Sequence, residues 1–173
     1  TTLWIKTPFT GENIAYLRHL RRLAYLGTDT SAIFDQIESQ ITYLCRLKAL
    51  YIYESKNKLT EASAMLLARS LKHFAQLNNL KLYCKGLADL LPKMAPYLGD
   101  LTTLRRLELC TTPISGDTRL KSKATSELVS HLSRLTQLRY FRLFHMVDGR
   151  VEASTKQLCK LIQSLPHLTC LRL

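Results

Sequence analysis

Arginine, lysine and tyrosine are the residues in this chain best equipped to engage a ligand. Arginine doublets stand at Arg21-Arg22 and Arg105-Arg106, with Arg139, Arg142 and Arg172 further on and Lys48 and Lys81 between them. A guanidinium holds a carboxylate or phosphate through two parallel N–H bonds, and an ammonium adds a compact charge. Aromatic residues run close by: Trp4, Tyr51, Tyr53, Tyr83, Tyr140 and Phe144. Exposed tyrosine, tryptophan and arginine dominate the energetics of protein interfaces. Patterns for catalysis are missing. His19, His73, His131, His145 and His167 are scattered, and there is no Cys-x2-Cys pair, H-E-x-x-H, glycine-rich phosphate loop or G-x-S-x-G. Cys84 and Cys110 read as small half-buried side chains. The sequence therefore predicts a binding module rather than an enzyme, with no cofactor and no metal.

Composition sets the class of partner. Across 173 residues, 25 Lys+Arg stand against 13 Asp+Glu, a formal charge of +12 that favours acidic partners and says nothing about fold. At 46% hydrophobic and 22% charged, the chain is globular rather than disordered. No apolar run reaches the roughly 18–20 residues of a membrane-crossing helix. Five cysteines without paired spacing argue against a disulfide scaffold and for a reducing, cytoplasmic location.

The elements that must position the basic and aromatic side chains are legible in the leucines. There are 35, about one residue in five and roughly twice ordinary usage. They fall in a frame, L-x2-L-x2-L-x-L. It occurs as Leu101, Leu104, Leu107, Leu109 and as Leu165, Leu168, Leu171, Leu173. With one bulky apolar swap it recurs as Leu135, Leu138, Phe141, Leu143; as Phe74, Leu77, Leu80, Leu82; as Leu44, Leu47, Leu50, Ile52; and, most weakly, as Leu17, Leu20, Leu23, Tyr25. Leu3 and Ile5 form a partial copy. A competing frame, Leu132, Leu135, Leu138, Tyr140, is rejected because only the later one makes Phe141 and Leu143 alternating inward residues of a strand.

Successive third anchors are 20–34 residues apart, and most steps have room for a strand and a helix. The connecting segments 31–44, 60–74, 124–135 and 155–165 each carry apolar residues at i, i+3, i+4, i+7, the mark of an amphipathic helix. Ser31, Thr60 and Thr125 are expected N-caps. Pro92 and Pro96 predict a short or kinked helix after residue 86.

With this frame, the sequence resembles the leucine-rich repeat family, in particular its intracellular, ribonuclease-inhibitor-like subclass, found also in the C-terminal regions of NLR immune receptors and in bacterial effectors. The resemblance spans nearly the whole chain, residues 1–173, as one domain. It implies an α/β solenoid, a horseshoe of about six irregular repeats, with parallel strands on a concave face and helices on a convex one. The family's Asn or Cys five residues after the third anchor is replaced here by Thr28, Ser55, Lys85, Thr112 and Met146. Irregular turns are expected near Lys85 and Met146. Visible capping repeats are lacking, so the chain is expected to be a stretch of a longer protein.

In such an architecture the residues between anchors face the concave side. Seven copies give 33 such positions. Ten are basic (Lys6, Arg21, Arg22, Lys48, Lys81, Arg105, Arg106, Arg139, Arg142 and Arg172) and two are acidic (Glu54 and Glu108). Ten minus two places +8 of the +12 on this surface. The expected partner-binding residues are Trp4, Arg22, Lys48, Tyr51, Tyr53, Lys81, Tyr83, Arg105, Arg106, Arg139, Tyr140, Arg142 and Phe144, with Tyr51, Tyr53 and Tyr83 forming one patch. The expected ligand is a protein or peptide with an acidic surface, in innate immune sensing or as an effector. The alternative is a nucleic acid or phosphoinositide on the same face.

Overall fold

A computed structural model describes residues 2–5, 21–27, 46–111, 122–145 and 155–172. Within them lie seven strands: β1 (Thr2–Ile5), β2 (Arg22–Gly27), β3 (Ala49–Lys58), β4 (Asn79–Lys85), β5 (Arg106–Thr111), β6 (Tyr140–His145) and β7 (Cys170–Arg172). The described helices are α1 (Glu61–Leu71), α2 (Leu87–Gly99), α3 (Ser122–Leu132) and α4 (Thr155–Ser164). The class is α/β. All strands are parallel and pair in chain order, β1 to β7. Each helix packs on the next, α1 on α2, α2 on α3, α3 on α4, so they form one layer over one face of the sheet.

The leucine spacing has a direct structural cause. Leaving each helix, the chain makes two successive i→i+3 hydrogen bonds: Phe74 to Leu71 and Leu77 to Phe74, Leu101 to Leu98 and Leu104 to Leu101, Leu135 to Leu132 and Leu138 to Leu135. Residues three apart in such turns point the same way. The strand then begins and the inward period becomes two. Three-residue steps followed by a two-residue step are the L-x2-L-x2-L-x-L frame. Its members Leu77, Leu80 and Leu82, then Leu104, Leu107 and Leu109, are sealed from water, in one core with Leu67, Leu71, Leu91 and Leu98 from the helices.

Register bears out the later frame in β6. Leu107 stands beside Phe141 and Leu109 beside Leu143, and both β6 residues are buried, while Tyr140 is half-buried on the other face. At the start of the strands one bonding pattern recurs five times. A single carbonyl accepts from two consecutive N–H groups of the following segment: Arg21 from Lys48 and Ala49, Lys48 from Asn78 and Asn79, Asn78 from Arg105 and Arg106, Arg105 from Arg139 and Tyr140, Arg139 from Thr169 and Cys170.

Thr60 caps α1 as expected, its Oγ1 accepting from the Ser63 N–H at 3.2 Å. Thr125 is not a cap, because α3 already begins at Ser122. Nor do Pro92 and Pro96 shorten α2, which runs 13 residues. Each interior proline sacrifices a backbone bond and costs about 3 kcal/mol. Burial of Leu87, Leu91, Met94, Ala95 and Leu98 between the sheet and the flanking helices offsets it. The turn at Lys85 is irregular as expected. Pairing of β3 with β4 skips from Glu54–Cys84 to Lys58–Lys85, and Gly86, at φ 77°, passes the chain straight into α2. Only glycine adopts that left-handed conformation without steric cost. Lys6, the weak anchors Leu17 and Leu20, the helix expected over 31–44 and the turn at Met146 lie outside the described residues. No helix among the described residues is long and apolar enough to cross a membrane.

Candidate functional site

The face of the sheet opposite the helices carries the basic and aromatic residues, because strand alternation turns the residues between the inward anchors onto it. In β4 the inward residues Leu80, Leu82 and Cys84 are buried, while Asn79, Lys81, Tyr83 and Lys85 are half-buried. Register lines these positions into rows across the strands. One row runs Tyr51, Lys81, Glu108, Arg142, Arg172. A second runs Tyr53, Tyr83, Cys110, Phe144. A third, at the strand starts, runs Arg22, Ala49, Asn79, Arg106, Tyr140, Cys170. Trp4 holds the register position beside Ala24 on β1.

At the centre of the first row sits Glu108, with only 2% of its surface exposed. This corrects its expected placement as an open acidic position. Lys81 Nζ lies 3.0 Å and Arg106 Nε 2.6 Å from Oε1. Arg142 Nη1 is 3.9 Å from Oε2, toward which the Tyr83 hydroxyl donates at 3.4 Å. Burial works to raise the carboxyl's pKa, but hydrogen bonds from Lys81 and Arg106 and their charges outweigh it and hold it below the usual range. Burial likewise tends to lower the pKa of Arg106, and Glu108 reverses that and raises it.

The aromatic groups are engaged among themselves. Tyr53 and Tyr83 stand 4.9 Å apart, centroid to centroid, with planes tilted by 32°. The Arg106 guanidinium lies 4.1 Å over the Tyr140 ring, and Arg172 approaches the same ring at 5.9 Å. Lys81 sits 5.3 Å from the Tyr51 centroid, and the Asn79 amide donates to the Tyr51 hydroxyl at 3.1 Å. Burial raises the pKa of Tyr53, of Tyr83 and of the Cys110 thiol, so all three remain protonated at neutral pH.

The expected patch of Tyr51, Tyr53 and Tyr83 is brought together on β3 and β4. Lys81, Arg106 and Arg142 gather around Glu108, with Tyr140 against Arg106, while Arg21, Arg22, Lys48, Arg105 and Arg139 stand exposed at the strand starts. These five make no ion pair among the described residues. Ala49 is buried, and Cys84 and Cys110, expected to be half-buried, are buried as well. Cys84 belongs to the core because alternation carries on past Leu82, and Cys110 lies beside Tyr83, which partners its thiol. Sequence reasoning overlooked Asn78 and Asn79, which carry no charge and no aromatic ring. Their signal was position, since they occupy the same strand-start slots as Arg105 and Arg106.

No protein-family model matches the sequence, and no curated protein matches it.

Proposed function

We propose that this chain is a recognition module of the leucine-rich repeat type, an irregular solenoid that binds an acidic protein or peptide segment across the face of its sheet that no described helix covers. The carrying observation is the surplus of cations there. Of the described basic side chains on this face, three converge on Glu108, and Arg21, Arg22, Lys48, Arg105 and Arg139 stand exposed along one edge. Beside them Tyr51, Tyr53 and Tyr83 supply half-buried aromatic surface that is already ordered by its neighbours. Pre-ordered anchors lose little entropy on binding, which is what a recognition surface needs. The recurring carbonyl pattern and the turn geometry behind the leucine frame support the repeat assignment. The reading places the module in a reducing, cytoplasmic setting, as a sensing region or an effector, with binding rather than catalysis as its task.

Engagement of the rings favours protein over nucleic acid. Single-strand binders present open aromatic faces for bases, whereas Tyr140 is covered by Arg106 and Tyr53 leans on Tyr83. An array of extended peptides, acidic and neutral, tests this beside an oligothymidylate control. The wild type should select acidic peptides. The Tyr53→Ala/Tyr83→Ala variant should lose them with its far-UV circular dichroism intact. Unchanged peptide capture by that variant, or tighter oligothymidylate binding with a steep salt dependence, would defeat the proposal.

A further inference from the structure

Two clusters on the uncovered face are built from the same set of side chains, one lysine, two arginines and one tyrosine. In the first, Lys81, Arg106, Arg142 and Tyr83 surround the carboxylate of Glu108. In the second, Lys48, Arg21, Arg22 and Tyr51 line a cleft of about 380 Å³ with Asn78 and Asn79. The second has no carboxylate among its described lining residues. Its three cations come from two adjacent strand starts, tied by the hydrogen bonds from Lys48 and Ala49 to the Arg21 carbonyl at 2.8 and 3.0 Å. Neighbouring strands lie about 4.8 Å apart, so these side chains reach a common point. Like charges held that close repel one another until an anion enters, and an entering oxyanion gains charge-assisted hydrogen bonds.

We propose that this cleft is the seat of one aspartate or glutamate side chain presented by the partner, an external counterpart of Glu108. The inference rests on reading the uncovered face as a recognition surface. The Glu108 cluster shows what this combination of groups does with a carboxylate: one lysine and one arginine close on the same oxygen, and a tyrosine hydroxyl turns to the other. Tyr51 is prepared for the part, its hydroxyl fixed by the Asn79 amide and its ring forming a wall for the methylenes of an acidic side chain. Lys81 joins the two clusters, 3.0 Å from Glu108 and 5.3 Å from the Tyr51 ring. Filling the cleft therefore changes the field at the Glu108 cluster as well.

The test is an NMR titration of the 15N-labelled chain with an acetylated, amidated tetraglutamate peptide, set against inorganic phosphate and oligothymidylate at matched ionic strength. The peptide should give saturable shifts centred on the Asn78 and Asn79 side-chain amides and the Arg21 and Arg22 Nε–H groups. The Arg21→Ala/Arg22→Ala/Lys48→Ala variant should bind at least about tenfold more weakly, while Lys156→Ala/Lys160→Ala, two exposed lysines on α4 in the helix layer, should lose less than about threefold. Unchanged affinity in the triple variant overturns the cleft. If Tyr53→Ala/Tyr83→Ala still abolishes acidic-peptide selection, the broader reading of the face survives that failure. The reverse pattern, with the triple variant affected and the tyrosine variant not, supports the cleft and removes the broader reading. Phosphate or oligothymidylate shifting the same groups at lower concentration overturns the carboxylate assignment.

Discussion

On the helix-covered side of β4, Leu80, Leu82 and Cys84 are closed off from water by side chains arriving from α1 and α2. One residue along, on the other side, Lys81 and Tyr83 have no layer of described residues above them and reach sideways instead. Lys81 extends to Tyr51 on β3 and Glu108 on β5, and Tyr83 to Tyr53 on β3 and Glu108 on β5. One face is ordered by depth and the other by neighbours within the sheet. The first admits only apolar groups of the right size, whereas the second accepts any residue whose neighbours in the row complement it. A chain built this way can change the chemistry of one face without changing what holds it together.

The sharpest way to break this division is Leu104→Ala, a fully buried anchor. It should cost about 2–5 kcal/mol in chemical denaturation, from lost transfer energy and the cavity left behind. A cost under about 1 kcal/mol would mean the covered face is not the source of stability.

Glu108→Gln probes the exception, a charge on the uncovered face sealed as tightly as a leucine. It leaves Lys81 and Arg106 without their anion and should cost about 2 kcal/mol at pH 7. The sign of the pH dependence follows from the lowered native pKa. The contribution is full above the ordinary carboxylate range and is lost only as pH falls through the lowered native value. The gap between wild type and Glu108→Gln should thus hold from pH 7 to about pH 5 and close in strong acid.

Gly99→Ala tests the helix layer itself. A Cβ there would stand 2.7 Å from the His131 carbonyl oxygen on α3, so backbone must move. Alanine's better helix propensity would be outweighed, with a net loss of about 1–2 kcal/mol. The smallest effect belongs to Tyr140→Ala on the uncovered face. It removes stacking with Arg106 and Arg172 and should cost no more than about 1 kcal/mol. A thermal melt of each variant would rank them.

Much of the fold was readable because its determinants are local. The three-three-two leucine spacing encodes turns and strand directly, and it placed Phe141 and Leu143 inward correctly. Alternation likewise assigned Lys81, Tyr83, Arg106 and Tyr140 to one surface. What escaped was lateral. Glu108 looks exposed in a single strand, yet register sets it between Lys81 and Arg142, and long neighbours fold over a shorter side chain about 4.8 Å away. Aligning the repeats would have exposed that Lys-Glu-Arg row. The prolines misled for a related reason. Proline's penalty is a property of the isolated helix, whereas α2 is stabilised by the layers around it.

The doubly accepting carbonyls at the strand starts give the sheet a polarity along its stacking direction. Each strand start lends its acceptor to the segment that follows and draws its own two bonds from the one before. At these strand starts, removing an early strand orphans two N–H groups of its successor, whereas removing a late one frees a carbonyl oxygen that water can satisfy; the ladder bonds farther along the strands are reciprocal. Unravelling therefore travels more readily from β2 toward β7 than the other way, and amide exchange at Lys48, Asn78, Arg105 and Arg139 would register it as a staircase of rates.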